Sequence, residues 1–482
     1  MIKTKYVIFG IYMVSFLLAS CVNEKEPAKK PNILFILADD QAYNTIGALG
    51  NEEVITPNLD KLVESGVSFT HAYNMGGWHG AVCVASRTMF NTGRTVWNAQ
   101  ATEKFLAKRD SVYTAHLWGN ILSDAGYDTY MSGKWHVKAK LKDCFDFIGT
   151  ERPGMPNQTP EGYNRPLNEK DTTWMPWHKQ YDGFWKGGTH WSEVLANETI
   201  GFIDQALDRP NPFFMYVAFN APHDPRQSPK EYVDMYPLED ISLPQSFRPL
   251  YPEKDDIGCS AGLRDEKLAP FPRTEYSVKV NLQEYYAIIT HMDHQIGRIM
   301  EALEKSGQKD NTYIFYTADH GLACGAHGLM GKQNMYDHSM RAPLIVIGPD
   351  LPKDKRIDLD VYIQDIMPST LDLAGLDKPK YVEFNSLMPL INKKQRKSSY
   401  DAIYGTYMNK QRMVRADGFK LIIYPDANKI KLFDLVNDPM EKNNLANDKK
   451  YTTQVKELIE KLRNQQKQMG DELDLKALFS NI

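Results

Sequence analysis

The sequence predicts an α/β protein in which a large, mostly parallel sheet is sandwiched by helices. Three nearly continuous apolar segments carry this prediction, and a helical pattern such as 282–305 lies between them. Strands that are apolar on both faces are typical of parallel sheets covered by helices, whose ligands bind beyond the carboxyl ends of the strands. The segments and the polar residues that follow them are Asn32–Ala38 with Asp39 and Asp40, Pro212–Asn220 with His223, and Thr312–Thr317 with Asp319 and His320.

The other elements of the main domain follow from capping residues and apolar runs. The segment 56–65 predicts a helix, because Thr56 can cap its start and Pro57 suits the first helical position. The apolar segment 342–348 predicts a further strand, which ends without polar residues. Together these elements place the main domain at residues 31–396.

The pattern changes in the last part of the chain. Segments 413–424 and 429–434 alternate apolar with polar residues and flank a turn at Pro425, which predicts antiparallel strands. Residues 451–469 have the amphipathic pattern of a helix. We expect a smaller C-terminal α+β subdomain at 397–482, packed on the main domain.

Residues 1–20 have the layout of a secretory signal peptide, with two lysines followed by an apolar run too short to span a bilayer. The sequence LASC at 18–21 resembles a bacterial lipobox, in which Cys21 is lipidated and anchors the protein to a membrane. The alternative is an ordinary signal peptide followed by a chance cysteine. Val22 favours the outer membrane of a Gram-negative envelope, facing the periplasm or the surface, with residues 21–30 as a solvated tether.

The charge balance and the cysteine count limit the binding partners and the disulfides that we expect. The chain has 57 Lys and Arg against 61 Asp and Glu, a formal net charge of −4 over 482 residues, which argues against a nucleic-acid-binding protein. Four widely spaced cysteines remain once Cys21 is set aside, so we expect at most one disulfide. One of the four, Cys83, lies in a segment that indicates chemistry.

Cys83 opens the segment CVASR, which ends at Arg87 and is followed by TGR at 92–94. This pattern resembles the signature of type I sulfatases, in which Cys-x-Pro-Ser-Arg and a downstream Leu-Thr-Gly-Arg direct a maturing enzyme to oxidise the cysteine to formylglycine. Two positions depart from that signature, Ala85 in place of Pro and Asn91 in place of Leu. Four further motifs stand in the family's order, the first before Cys83 and the other three after it. They are Asp39-Asp40, GKWH at 133–136, APHDP at 221–225, and DHG at 319–321 leading through HGL at 327–329 to Lys332.

The resemblance implies an alkaline phosphatase-like fold, sulfatase activity and a bound Ca²⁺, with Mg²⁺ or Mn²⁺ as the alternatives. Ca²⁺ prefers oxygen ligands, and His320 departs from that preference, although related sulfatases have Asn or His there. The implied metal ligands are Asp39, Asp40, Cys83 as formylglycine, Asp319 and His320. Cys83 is expected near the start of a helix that carries Arg87 one turn later, where both stabilise an anion.

The resemblance also implies the roles of the other site residues. Hydrated formylglycine at position 83 attacks sulfur, while Lys134 and Lys332 bind the sulfate oxygens. His136 resembles the base that then collapses the sulfated intermediate and regenerates the aldehyde. His223 resembles the acid that protonates the leaving oxygen, with Lys332 as its helper.

The expected substrate is a sulfated carbohydrate, a glycan or a glycosaminoglycan fragment. Trp78, His190 and Arg226 are candidate substrate contacts, and the segment 174–191 is rich in Trp and His that suit stacking on sugar rings. The alternative for this segment is that half of these residues only pack the loop. Arg226 follows His223 by three positions and could meet a second anionic group.

Two other functions stay open at this point. A phosphodiesterase or phosphonate monoester hydrolase of the same superfamily would keep the fold and change the ester. A non-catalytic glycan-binding protein would keep Cys83 as a thiol.

Overall fold

The computed structural model describes residues 30–475. The predicted signal peptide, Cys21 and the tether up to residue 29 lie outside the described residues. No helix in the described part is long and apolar enough to cross a membrane. The strands are β1 Asn32–Ala38, β2 Val67–Tyr73, β3 Gly76–Gly77, β4 Asp128–Lys134, β5 Phe147–Arg152, β6 Phe213–Ala218, β7 Thr312–Ala318, β8 Arg341–Ala342, β9 Leu344–Ile347, β10 Lys355–Tyr362, β11 Ile403–Tyr407, β12 Gln411–Ala416, β13 Phe419–Tyr424 and β14 Lys429–Asp434. The α-helices are α1 Pro57–Ser65, α2 Val82–Thr92, α3 Val96–Ala107, α4 Ser111–Ala115, α5 Trp118–Asp124, α6 Trp191–Leu207, α7 Lys230–Val233, α8 Glu275–Lys305, α9 Asp337–Met340, α10 Ile366–Leu373, α11 Met388–Ile391 and α12 Thr452–Met469.

The large sheet has nine strands in the order β10-β2-β9-β7-β1-β6-β4-β5, with β8 paired to β2. The five strands from β7 to β5 are parallel, and β9 runs against its neighbours β7 and β2. Every residue of β1 is buried, as expected for a strand covered by helices on both faces. The predicted mixed, mostly parallel sheet is confirmed.

Register brings the ends of the central strands to one edge of this sheet. Ala38 of β1 pairs with Ala318 of β7, and Leu37 of β1 pairs with Ala218 of β6. Ala218 also pairs with Gly133 of β4. The residues that follow these four strands therefore meet at the carboxyl edge, where an open α/β sheet binds its ligands.

The smaller sheet has the order β14-β13-β12-β11-β3, with β11 to β14 antiparallel. The prediction of one strand over 413–424 is wrong, because the chain turns at Asp417 and Gly418, both with positive φ, as a two-residue hairpin turn requires. The predicted turn at Pro425 is confirmed. Strand β3 comes from the sequence just before α2 and pairs with β11. Both sheets belong to one compact unit, which includes the described residues 31–475. The domain boundary at residue 396 remains a prediction.

Helix α1 begins as predicted, but Thr56 does not cap it. The Thr56 hydroxyl instead accepts a hydrogen bond from the Gly47 amide (2.9 Å). The Asp293 carboxylate of α8 receives the amides of Asn58 (3.1 Å) and Leu59 (2.6 Å). A side chain from a neighbouring helix thus supplies the acceptors that a helix start needs.

The predicted strand 342–348 is divided into β8 and β9, with Pro343 between them. Both of these strands run antiparallel to β2.

Candidate active site

Two carboxylates that follow β1 and two side chains that follow β7 form the centre of the site. Asp39, Asp319 and His320 offer ligand atoms that lie, together with Cys83 Sγ, within 4.8 Å of one another, and all four residues are buried. Asp40 completes the group, since its Oδ1 lies 3.1 Å from His320 Nε2 and its amide donates to Asp319 Oδ1 (3.2 Å). The positive φ of Asp40 turns this residue toward the site at the end of β1.

The donor atoms of this cluster fit a hard cation. Among residues 30–475, Asp39 Oδ1, Asp40 Oδ1 and His320 Nε2 are buried atoms without a hydrogen-bond partner of acceptable geometry, a costly condition for polar atoms unless they meet an ion. Burial, together with the neighbouring Asp319 and Asp40, raises the pKa of Asp39 in spite of Lys134 and Arg87. A cation among three crowded carboxylates would relieve this repulsion.

Helix α2 presents Cys83 to the cluster from its first turn. Arg87 lies one turn later and is fully buried; its Nε donates to Asp319 Oδ2 (2.9 Å) and its Nη1 to the carbonyl of Lys134 (2.5 Å). Burial alone would raise the pKa of the Cys83 thiol, but the Lys134 ammonium and hydrogen bonds to His136 and His320 hold it well below its usual value. An anion at position 83 is therefore stabilised from several directions.

The GKWH motif places two functional side chains on either side of the strand end. Lys134, the last residue of β4, forms an ion pair with Asp39. Gly133 has φ +98°, and a Cβ there would lie 1.9 Å from the carbonyl oxygen of Ala218, so only glycine permits this approach of β4 to β6. His136 then turns back with φ 58° and brings its Nδ1 to 3.3 Å from Cys83 Sγ. Burial lowers the pKa of His136, which favours the neutral imidazole of a base.

The opposite side of the site is formed by His223 and Lys332. Lys332 Nζ donates to Asp40 Oδ2 (2.6 Å) and to His223 Nε2 (3.0 Å). His223 Nδ1 lies 2.9 Å from both the carbonyl oxygen and the Oδ1 of Asp224, so Asp224 orients the imidazole. All ten residues that the sequence analysis assigned to metal binding or catalysis therefore meet in one cluster.

The comparisons with known proteins agree with this arrangement. The profile of the family described as Sulfatase matches residues 31–376, which is most of the chain. The chain belongs to the sulfatase family. Residues 325–468 match the family described as N-sulphoglucosamine sulphohydrolase, C-terminal, and the protein is a sulfuric ester hydrolase of the alkaline phosphatase-like fold.

Relatives match this sulfatase along nearly their whole length. An arylsulfatase of Clostridium perfringens (strain 13 / Type A) is 30% identical over 90% of this chain and 93% of its own. An N-acetylglucosamine-6-O-sulfatase of Bacteroides thetaiotaomicron is 26% identical over 94% of this chain and 89% of its own.

Solved structures show the same fold. A structure in complex with its substrate D-glucosamine-2-N,6-O-disulfate has a TM-score of 0.71 at 23% identity and covers 92% of this chain and 99% of its own. A phosphonate monoester hydrolase from Silicibacter pomeroyi also reaches 0.71, at 19% identity, over 92% of this chain and 96% of its own.

Several residues of the sulfatase site were missed by the sequence analysis. Arg264 Nη2 lies 3.4 Å from both His223 Nε2 and Asp224 Oδ1, and it pairs with Asp265. The Lys332 ammonium and Arg264 outweigh burial and lower the pKa of Asp265 to about 2. Asp224 directly follows His223 in the sequence, whereas Arg264 and Asp265 lie in a segment without any motif and could be found only from the fold.

The site is deeply buried but reaches the surface at one rim. Cys83, Lys134, His223 and Lys332 are each at most 3% exposed. The side chain of Arg264 is 34% exposed, and His79 and His136 are partly exposed. These three side chains are the partly exposed ones beside the buried cluster.

Three assignments to substrate contact remain predictions, and all three side chains are buried in the structure. His190 is fully buried, caps α6 by accepting from the Ser192 amide, and holds the carbonyl of Gln227 with its other nitrogen (2.9 Å). Trp78 is 8% exposed within an apolar cluster. Arg226 is 2% exposed and donates to Asn281 (2.9 Å), whereas Arg264 is a partly exposed arginine that lies beside His223.

Proposed function

We propose that this sulfatase hydrolyses a sulfate ester of a carbohydrate, with Cys83 converted to formylglycine and Ca²⁺ held by Asp39, Asp40, Asp319 and His320. The observation that carries the proposal is the meeting of these five side chains within one buried cluster, with basic residues on two sides of it. The Sγ of Cys83 marks where the oxygen atoms of formylglycine would lie.

The three carboxylates favour a cation that prefers oxygen ligands, which supports Ca²⁺ over softer metals. When bound, Ca²⁺ would supply positive charge for the sulfate oxygens, and formylglycine would supply a hydroxyl nucleophile stronger than water.

The residues of the chain divide the remaining chemistry between two sides of the cluster. Lys134 and Lys332 supply ammonium groups for non-bridging sulfate oxygens, and Arg87 adds charge behind them. On one side, His136 Nδ1 is near enough to position 83 to accept a proton there. On the other side, His223 in its doubly protonated form donates its Nε2 proton to the leaving oxygen and keeps the Nδ1 proton toward Asp224, and Lys332 and Arg264 stabilise charge on that oxygen.

A carbohydrate substrate is supported by the names of relatives. They include the N-acetylglucosamine-6-O-sulfatase and an endo-4-O-sulfatase of Bacteroides thetaiotaomicron, and the structure with bound D-glucosamine-2-N,6-O-disulfate. We also propose that a maturing enzyme acts on Cys83, that Cys21 carries a lipid anchor, and that the protein is exported to the outer membrane.

The proposal is tested by peptide mass spectrometry and by a substrate panel. Protein from its native host should carry formylglycine at position 83 and should desulfate at least one sulfated mono- or disaccharide. Aryl phosphate diesters and phosphonate monoesters, assayed in parallel, should have lower kcat/KM values. An unmodified thiol in active protein, or faster cleavage of the phosphorus esters, would contradict the proposal.

Metal dependence is tested by removing the cation and restoring it. Treatment with a chelator should abolish activity and lower the apparent Tm, because three buried carboxylates are left with one partner fewer. Ca²⁺ should restore both properties better than Mg²⁺ or Mn²⁺. Full activity after complete removal of metal would exclude the assigned ligand role.

A further inference from the structure

A cavity separate from the active site lies beside the loop that carries His223, and none of the catalytic residues lines it. It encloses about 360 Å³, and its lining includes Trp177, Trp185, Lys179, Lys230, Glu193 and Glu231. We name it the tryptophan cleft. We propose that it binds a pyranose ring of the glycan substrate, remote from the ring whose sulfate is cleaved; this inference rests on the proposed carbohydrate function.

The chemistry of the lining suits the hydroxyl groups of a sugar. Trp177 is partly exposed and offers its indole to the apolar face of a ring. Lys230 Nζ lies 5.2 Å from the Trp177 ring and Lys179 Nζ lies 4.6 Å from the Trp185 ring, so ammonium donors stand beside both indoles. Glu193 and Glu231 supply acceptors. The two lysines face two glutamates, and Lys230 is also paired with Asp234. The cleft therefore has no excess of positive charge, which favours hydroxyl recognition over a second sulfate.

The cleft lies at the same edge of the sheet as the catalytic cluster. Helix α6 ends at Leu207, and β6 begins only a few residues later at Phe213, so the start of α6 lies near the carboxyl edge of β6. Trp191 and Ser192 in the first turn of α6 adjoin Gly133 and Ala218, at the ends of β4 and β6. His190, which caps this helix, also lines the cleft.

A rigid connection joins the cleft to the catalytic loop. Gln227 is buried; its Oε1 accepts from the Phe184 amide (2.7 Å) and its carbonyl contacts His190 Nε2 (2.9 Å). Pro229 of the cleft follows His223 by six positions, a reach of at most about 21 Å along an extended chain. An oligosaccharide of a few rings is long enough to span this distance.

The inference predicts that substrate length decides the effect of a change in the cleft. In Trp177→Ala, the ratio of kcat/KM for a sulfated oligosaccharide to that for the matching sulfated monosaccharide should fall about 10-fold, because one stacking contact is lost. Lys230→Ala should lower the same ratio. Lys186→Ala removes an exposed lysine of the same segment that does not line the cleft, and it should leave the ratio at the wild-type value.

Binding gives an independent readout. The Cys83→Ala protein should bind the oligosaccharide more weakly when Trp177→Ala is added, as measured by calorimetry, and a desulfated distal ring should not change this difference. Equal ratios in the wild type and Trp177→Ala, or equal affinities in the binding experiment, would overturn the proposal. If wild-type protein desulfates no sugar, the proposed function fails, and the binding experiment still decides whether the cleft takes a carbohydrate.

Discussion

At the scale of single residues, the site depends on buried charges that are held by other charges. Asp224 touches His223, and Arg264 connects Asp224 with Asp265. Burial opposes ionisation of Asp224, but Arg264 and His223 outweigh it and keep the pKa of this carboxyl well below its usual range. Because the carboxylate remains ionised, it can accept a hydrogen bond from the Nδ1–H group of His223, which leaves Nε2 free for the acid role proposed above.

We predict that Asp224→Asn lowers kcat by roughly 10- to 100-fold, as expected for the loss of a carboxylate that orients a catalytic imidazole. KM should change less, since Lys134 and Lys332, which are proposed to bind sulfate, remain in place. Steady-state kinetics on one sulfate ester measures both constants. Asp255→Asn, at a carboxylate whose side chain is 69% exposed, is the matched control; a kcat within two-fold of wild type for Asp224→Asn would refute the orienting role.

At the scale of elements, the sequence predicts the strands that consist mainly of apolar residues. β1, β6 and β7 are continuous apolar runs and were predicted, whereas β4, with the sequence DTYMSGK, carries polar residues throughout and was not. The motif residues of the site were predictable because all four strands that deliver them, β1, β4, β6 and β7, end at or shortly before recognisable motifs. The roles of Arg264, Asp265 and the cap from Asp293 were not, since each depends on contacts between distant segments.

The end of strand β4 provides a test of how the backbone positions Lys134, which is proposed to bind sulfate. Gly133→Ala should destabilise the protein by about 1–3 kcal/mol and also lower activity, because the new methyl group meets the Ala218 carbonyl and displaces Lys134. Gly126→Ala is the matched control, since Gly126 also has a positive φ (+86°) but open space around its Cβ position. Thermal unfolding and kinetics of both variants separate backbone strain from the clash; full activity of Gly133→Ala would contradict this account.

The contact between α1 and α8 gives a pH dependence of stability. Burial raises the pKa of Asp293 to about 6, although the amides of Leu59 and Asn58 lower it. The folded protein therefore holds this proton more tightly than the unfolded chain, so the contribution of Asp293 to stability is complete below about pH 4 and is lost as pH rises through 6.

We expect the stability advantage of wild type over Asp293→Asn to be larger at pH 4 than at pH 8. The difference between the two pH values is at most about 3 kcal/mol, from a shift of roughly two pH units. Apparent Tm values at matched scan rates measure it, and Asp310→Asn, an exposed aspartate beyond the end of α8, should show no such trend. An advantage that grows with pH would reverse the sign and reject the argument.

At the scale of the whole molecule, a buried charge cluster joins the smaller sheet to the catalytic part. Lys420 of β13 pairs with Glu441 (2.6 Å) and with Asp337 of α9. Burial and Asp337 raise the pKa of Glu441 to about 7 in spite of Lys420. Asp337 lies five positions after Lys332, so this cluster anchors the chain close to a catalytic lysine.

Lys420→Met should destabilise the sulfatase by about 3–5 kcal/mol, because it leaves two carboxylates buried without their ammonium partner. Calorimetry at a fixed scan rate measures the fall in apparent Tm. Lys461→Met removes an exposed partner of Asp417 and should change Tm little. Equal Tm values for the two variants would show that the buried cluster adds no more than a surface pair.

The two-residue strand β3 has a consequence for the order of events during biosynthesis. It lies shortly before Cys83 and pairs with Ile403–Tyr407, a strand made much later, while the finished fold leaves Cys83 only 2% exposed. Most of the polypeptide must therefore be synthesised before β3 can pair with β11. The maturing enzyme proposed above would have access to Cys83 during that interval and would lose it once the last strands dock.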